Sequence, residues 1–495
     1  MIHKITLQNH KKFLLFICLM ISIVVHAQIG IGTTTPDASS ILDVSSTEKG
    51  MLTPRMTTAQ RTAIVTPANG LIVYDTDLRS FYYYVEAPTS SWVPVNSSVN
   101  GRTNFKRIKS TDNLSVVLAA ELAAGGGSVY KLNEKSLYEI NGTINLNFPI
   151  ELNNASIVGL DSGEDKLIRA SGNLFVGSTG GYIKLLTVSA PGKIFDIVGV
   201  GSGVNIQNLI FRDMIVVNSG SVGSLENFGL VFSTIVQYVN NNDGIVYKDI
   251  GKLLLENQGW FANNQGTFEK LEGTFDSFQK QGGFSEVNGT YVGLDVSSNP
   301  DITGNAVMSN VNFSGTPTSG KYVKGYTLES YPNYNFTNDW YVDSPGIPRE
   351  GDAAATGTIY KNNRDFIPTN SGSGVKVNTP TTQPKNLFRF TSTTGRLTYE
   401  GKKPRAFQAT CTISFEGTGS TNSDTIFYFV RINGTMVTAL PETETYTDTK
   451  TGSIISNITV TGTIVLAAGE SVELYAQRLN GSNGVNLVSY NLSLK

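Results

Sequence analysis

Six aspartates, Asp161, Asp165, Asp196, Asp213, Asp243 and Asp249, lie within or beside short apolar runs in the middle of this chain. Two carboxylates on neighbouring strands can protonate a leaving oxygen and activate water, which is the chemistry of glycosidic-bond cleavage. Asp196 in "IFDIVG" and Asp213 in "IFRDMIV" interrupt the most apolar of these runs. Burial there would raise a carboxyl pKa towards a useful range. Strand residues alternate sides and Asp prefers solvent, so the plainer reading puts both side chains on an outer face. No catalytic residue is assigned, and Asp196 and Asp213 stand as the candidates. Trp260 and Trp340 are the aromatic residues a sugar site would add, although an isolated tryptophan more often serves packing.

The carboxylates matter because the chain has little else. His3, His10, His26 and Cys18 all fall in the first 27 residues. That segment reads as a signal peptide, with Lys4, Lys11 and Lys12 before an apolar run from Phe13 to Val25 and a small-residue site at Ala27. The run is too short for a membrane span. A chain starting at Gln28 has no histidine and one cysteine, Cys411, which reads as a buried small hydrophobe. Ser-His-Asp and Cys-His mechanisms are then excluded, as are zinc sites built on imidazole or a thiolate cluster. Removing three of 38 basic residues leaves 35 against 40 acids, a charge of −5, which argues against nucleic acid. No metal or cofactor site is read. The glycine strings at 177–181 and 199–204 lack phosphate-loop spacing, and Asp295 to Asn305 lacks the calcium-loop pattern. The expected location is secreted or at the cell surface.

The elements that would position these residues are strands. Glycine is 50 of 495 residues and charged residues are 16%, against about 25% in ordinary globular domains. This suits strands joined by tight turns better than surface helices. In residues 28–95, "MTTAQRTAI" carries a short helix with Thr57 and Gln60 at capping-box spacing. "GLIVYDTD", "SFYYYV" and "WVPV" read as three strands. Tyr82 to Tyr84 must alternate faces, for subunit packing or as a glycan platform. The string "IGIGTTTPDASSILDVSSTEKGMLTPRMTTAQR…PANGLIVYDTDLRSFYYY…SWVPV" resembles the N-terminal part of Bacteroidetes surface and phage tail-fibre-like proteins. That resemblance implies a repetitive exported or phage-derived fibre. The serine–lysine self-cleaving domain that ends many of them has no counterpart in this sequence, so no autoproteolysis carries over.

Residues 96–130 read as a linker with a short helix ended by Gly125 to Gly127. From 131 to 342, runs such as "NIQNLIFRDMIVVNSG" and "LVFSTIVQYVNNN" recur without a clean repeat string. Sandwiches space strands closely, but the length favours a parallel β-helix whose core runs along an axis. The opening, "LYEINGTINLNFPIELNNASIVGLD", is similar in texture to pectate-lyase-like and tail-spike β-helices. Residues 343–386, rich in Pro, Gly and Thr, read as a second linker. Residues 387–495 hold about eight strands, with Asn433-Gly434 set for a hairpin turn. The order "RAFQATCTISFEG…IFYFVRINGTMV…ITVTGTIVLAAGESVELYAQRLNG" is similar to the C1q/TNF-like family. This implies a homotrimeric jelly roll with Tyr428 and Tyr475 near its threefold axis or the adjacent core.

The sequence therefore predicts an all-β chain: a small N-terminal module, a parallel β-helix shaft and a C1q/TNF-like jelly roll. The leading functional expectation is an exported trimeric fibre-like structural or adhesion protein. Its partner would be itself, with a surface polysaccharide as a second partner through the jelly roll. The alternative is a tail-spike-type polysaccharide depolymerase, a glycoside hydrolase or lyase, using paired carboxylates on the β-helix.

Overall fold

The computed structural model describes residues 12–14, 28–86, 90–95, 104–200, 207–362, 364–369, 371–377, 381–450, 452 and 454–495. The segment read as a signal peptide lies outside the described residues apart from 12–14. The chain divides into two units, Met1–Arg102 and Thr103–Lys495.

The first unit holds a two-stranded parallel pair, Ile29–Ile31 with Leu42–Val44, and a four-stranded sheet. That sheet runs Arg55–Met56, Ile72–Asp75, Ser80–Val85 and Ser91–Pro94. The helix Thr58–Thr62 starts with the expected capping box: Gln60 N–H donates to Thr57 Oγ1 at 3.2 Å and Thr57 N–H donates to Gln60 Oε1 at 2.9 Å. Arg61 from this helix pairs with the buried Asp75 at 2.9 Å, and its guanidinium lies 4.0 Å over the Tyr82 ring. Tyr84 meets Trp92 edge-on at 5.6 Å on the same face. Phe81 and Tyr83 point the other way and are exposed, as a period of two requires.

The second unit opens with a right-to-the-core parallel solenoid. Inward side chains stack rung on rung, as in the register Leu209–Val231–Leu253–Phe278–Ala306–Trp340, all fully or almost fully buried. Each buried Leu or Phe contributes about 1.5–3 kcal/mol, and the column makes that contribution cumulative along the axis. Neighbours in this column are 22 residues apart at first, then 25, 28 and 34, which is why no fixed repeat is visible. The long strands turn twice without leaving the sheet. Ser221–Val239 bends at Asn227 (φ 63°) and Ile235 (φ 53°), and Ile245–Trp260 at Asp249 (φ 52°) and Asn257 (φ 47°). Single left-handed residues thus divide these two long strands into straight stretches, one per face.

The segment 96–130 is not simply a linker. Phe105–Lys109 pairs in parallel with Leu137–Asn141, and the helices Leu114–Val117 and Ala119–Ala124 place Leu114 and Leu118 in the solenoid core. This stretch covers the open first rung, whose exposed edge would otherwise invite association. The segment 343–386 is corrected in the same way. Thr356–Lys361 and Asp365–Ile367 both pair with Val485–Leu494. Val375–Lys376 pairs with Ser471–Arg478, and Gln383–Phe388 with Thr356–Lys361. Pro384 lies in Gln383–Phe388, the outer strand of its sheet, where a missing donor costs little.

The C-terminal part is a two-sheet antiparallel jelly roll. One sheet runs Gln383–Phe388, Thr356–Lys361, Val485–Leu494, Arg405–Gly417 and Ser456–Leu466. The other is built on Phe390–Thr393, Arg396–Tyr399, Ser471–Arg478, Ser423–Asn433 and Met436–Ala439. Asn433 pairs with Met436, so Gly434 (φ 56°) and Thr435 form the two-residue turn. Cys411 is fully buried between the sheets.

Candidate functional site

Each of the six aspartates is engaged in holding the backbone or an ion pair. Asp165 is nearly buried and accepts from the amides of Gly142 (2.7 Å), Leu160 (2.7 Å) and Asp161 (3.0 Å). Asp161 accepts from Gly163 N–H, and Asp243 from the amides of Gly244 and Thr267. Asp249 occupies a left-handed corner and accepts from Thr274 N–H at 2.9 Å.

Asp196 and Asp213 do not meet in one register column. Asp196 lies outward on the first face, between Val176 and Ser224. It pairs with Lys193 at 2.8 Å and accepts from Asn173 Nδ2 at 2.9 Å, with its side chain 39% exposed. Asp213 is a corner residue with φ 53°, paired with Arg212 at 2.8 Å. Its neighbours at the same corner are Ile235, Asn257 and Gly282, all left-handed. Asp and Asn tolerate that conformation far better than most residues, which accounts for Asp213 without catalysis. The two tryptophans are core residues. Trp260 stacks on Phe268 at 4.6 Å, and Trp340 donates through Nε1 to Tyr326 Oη at 3.1 Å. Neither offers a sugar platform. Among the described residues, no group of three His, Cys, Asp or Glu side chains is arranged to hold a metal ion.

Two surfaces stand out instead. The first is apolar and belongs to the N-terminal unit. Ile29, Ile31, Ile41, Met51, Leu52 and Phe81 are all exposed. So many exposed large apolar side chains in so small a unit mark it as a unit that makes contacts. The sequence signal was present in the string "IGIG", which has no charged residue beside it.

The second surface is a cleft of about 1440 Å³ where the solenoid ends against the jelly roll. Tyr331 from the 326–338 loop donates to Glu400 Oε2 at 2.8 Å, and Asn338 Nδ2 donates to the Glu400 carbonyl at 3.1 Å. Tyr334 stacks face to face on Phe388, ring centres 3.8 Å apart. The loop is fixed from behind by Glu350, whose carboxylate accepts from the amides of Asn335 (2.8 Å) and Phe336 (2.9 Å). Lys385, Asn386 and Asn491 complete a rim of polar groups. The run "ESYPNYNF" at 329–336 was the sequence signal for this site, and it lies inside the stretch read as β-helix. Tyr428 and Tyr475 lie elsewhere: their rings are 6.2 Å apart in a small cluster with Ile426, Val430 and Ile432 on the second sheet.

Residues 30–115 match the family described as "Phage tail like trimerisation region". The match spans the exposed Ile31, Ile41, Met51, Leu52 and Phe81 of the N-terminal unit. No curated protein matches the chain. Among solved structures, tailspike protein 4 of bacteriophage CBA120 (enzymatically active domain) aligns over 90% of this chain and 78% of its own, at 9% identity and a TM-score of 0.28. Tailspike protein 2 of the same phage aligns over 88% and 89%, at 10% identity and a TM-score of 0.25. Eiger TNF from S. frugiperda aligns over 28% of this chain and 91% of its own, at 10% identity and a TM-score of 0.22.

Proposed function

We propose that this chain is an exported, trimeric, fibre-like structural and adhesion protein of the cell surface. The observation that carries the reading is the exposed apolar surface of the N-terminal unit, inside the region that matches a trimerisation family. Three copies would bury Ile31, Leu52 and their neighbours against one another. The solenoid then acts as a stiff shaft, because its described core residues from Ile108 to Val342 form one continuous cluster. The jelly roll at the end of the chain presents the binding surface. Replacing Ile31 and Leu52 by Asp in the full chain tests the reading: sedimentation is expected to shift from three chains to one, and an unchanged mass would refute it.

For the jelly roll we infer a surface glycan as the ligand, bound in the cleft beside Tyr331 and Tyr334. Binding sites commonly combine aromatic surface with a few convergent polar groups, and this cleft supplies both. On a glycan array, Tyr331→Ala and Glu400→Ala are expected to reduce binding at least tenfold. Binding that is indifferent to both would move the ligand elsewhere. The depolymerase alternative finds no support in the aspartates, since each already holds a turn, a corner or an ion pair.

A further inference from the structure

A second cavity, of about 470 Å³, opens beside the loop that carries Tyr331 and Tyr334. Thr290, Thr318, Ser319, Lys321, Lys324 and Tyr334 line it. Two adjacent solenoid strands support it, Val292–Asp295 and Val323–Lys324, with Asp295 paired to Lys324 in parallel register. Lys324 Nζ meets Asp295 Oδ2 at 3.2 Å, and Asp295 in turn accepts from Ser297 N–H at 2.9 Å. Lys321 follows a tight turn, in which Gly320 N–H donates to the Pro317 carbonyl at 2.9 Å and Lys321 N–H donates to Ser319 Oγ at 3.2 Å. Lys321 is exposed, and among the described residues no carboxylate pairs with it. Two ammonium groups line this cavity, and no Asp or Glu does.

The cavity and the cleft share a side chain. Tyr334 lines the cleft, where it stacks on Phe388, and it also lines the cavity. Its loop is closed at the base, where Tyr326 N–H donates to the Asn335 carbonyl at 2.8 Å. Glu350 holds Asn335 from behind, through the main-chain N–H at 2.8 Å and through Nδ2 at 3.1 Å. Tyr334 is therefore a fixed ridge between two sites of different charge. The cleft carries both signs, Glu329 and Glu400 with Lys385 and Lys495, whereas the cavity carries one.

We infer that the cavity is an anion subsite: a glycan lying across Tyr334 places a carboxylate or sulfate substituent between Lys321 and Lys324, so the ligand is an acidic polysaccharide. This rests on the glycan reading of the cleft and adds the class of glycan. The donor set carries the argument. A lysine ammonium offers three N–H donors and no acceptor, and the hydroxyls of Thr290, Thr318 and Ser319 can donate as well. Such a set suits a group with several acceptor oxygens, and hydrogen bonds to an ionised acceptor are about twice as strong as neutral ones. The volume falls in the range of about 300–1,000 Å³ usual for small-ligand sites, so one charged sugar fits. The chain as a whole has more acids than bases. A cationic cavity set in that field directs an acidic ligand to one place.

The test is a glycan array on which the same backbones occur neutral, carboxylated and sulfated, probed with the full chain. Acidic members are expected to bind at least about tenfold more tightly than their neutral counterparts, and the array shows which of the two acidic groups leads. Lys321→Gln is expected to lose most of that preference and Lys321→Arg to keep it, both with the circular dichroism of the folded chain. The preference should also shrink as salt rises from about 0.1 M to about 1 M, where the Debye length falls from about 10 Å to about 3 Å. Equal binding of neutral and acidic members that Tyr331→Ala weakens overturns the anion subsite and leaves the cleft standing. So does a preference for acidic members that survives Lys321→Gln with Lys324→Gln. Binding to no member overturns both.

Discussion

Glu269 and Lys280 form an ion pair inside the solenoid, Oε1 to Nζ 2.7 Å, with side chains 0% and 2% exposed. Each takes a place in an apolar column, Glu269 between Ile245 and Leu294, and Lys280 between Leu255 and Met308. The ammonium also lies 4.8 Å over the Phe268 ring. Removing one partner strands the other in the core. Lys280→Met alone is expected to destabilise the chain by about 3–5 kcal/mol. Glu269→Leu with Lys280→Met is expected to regain most of that loss, since both columns then become continuous. Denaturant titration of the two variants checks this, and equal stabilities would show that the pair is not isolated from water.

Ile235 sits at a left-handed corner, φ 53°, and is 48% exposed. Its neighbours in the column are Asp213, Asn257 and Gly282. A β-branched residue is the poorest choice for that backbone. Ile235→Asn is expected to raise stability by about 1 kcal/mol. Thermal melts decide it, and a lower melting temperature would mean that the Ile235 side chain makes a compensating contact.

Asp165 provides a pH dependence. Burial alone would raise its carboxyl, but the amides of Gly142, Leu160 and Asp161 outweigh that and hold it below the usual value of 3.8. Because the folded-state pKa is depressed, the contribution to stability is full above 3.8 and is lost as pH falls through the folded value. Melting temperatures of the wild type are expected to drop from about pH 5 to about pH 2. Asp165→Asn should be less stable at neutral pH and should flatten that acid limb. An acid limb unaffected by Asp165→Asn would assign it to other carboxylates.

Asp196 and Asp213 are expected to behave as structural surface residues. Asp196→Ala breaks a half-exposed pair with Lys193 and should cost no more than about 1 kcal/mol. Asp213→Gly suits the corner and should leave the fold intact. Neither change should alter glycan binding or the release of reducing ends from any glycan the chain binds. A loss of reducing-end release in either variant would restore these carboxylates as acid–base groups.

The fold class was legible because strand chemistry is local. Alternation in "NLIFRDMIVV", the Thr57–Gln60 capping box and the Asn433-Gly434 turn all act over a few residues. The corners were not legible. The corners at Ile235 and Asp213 have no Gly or Pro beside them to announce the turn, so the faces they separate read as one apolar run. The boundaries failed for a related reason. Residues such as Thr356 to Lys361 become strand only by pairing with Val485–Leu494, more than a hundred residues later. Outward Phe232 and Leu254 look like core in a sequence, and buried Glu269 and Lys280 look like surface. The cleft at Tyr331 and Glu400 depends on two parts of the chain meeting, which composition does not record.

The central claim is that three copies of this chain assemble. Native mass spectrometry of the full chain over a dilution series measures the stoichiometry directly. The account predicts a single species of three chains that persists on dilution. A species of one chain, or of two, would contradict it.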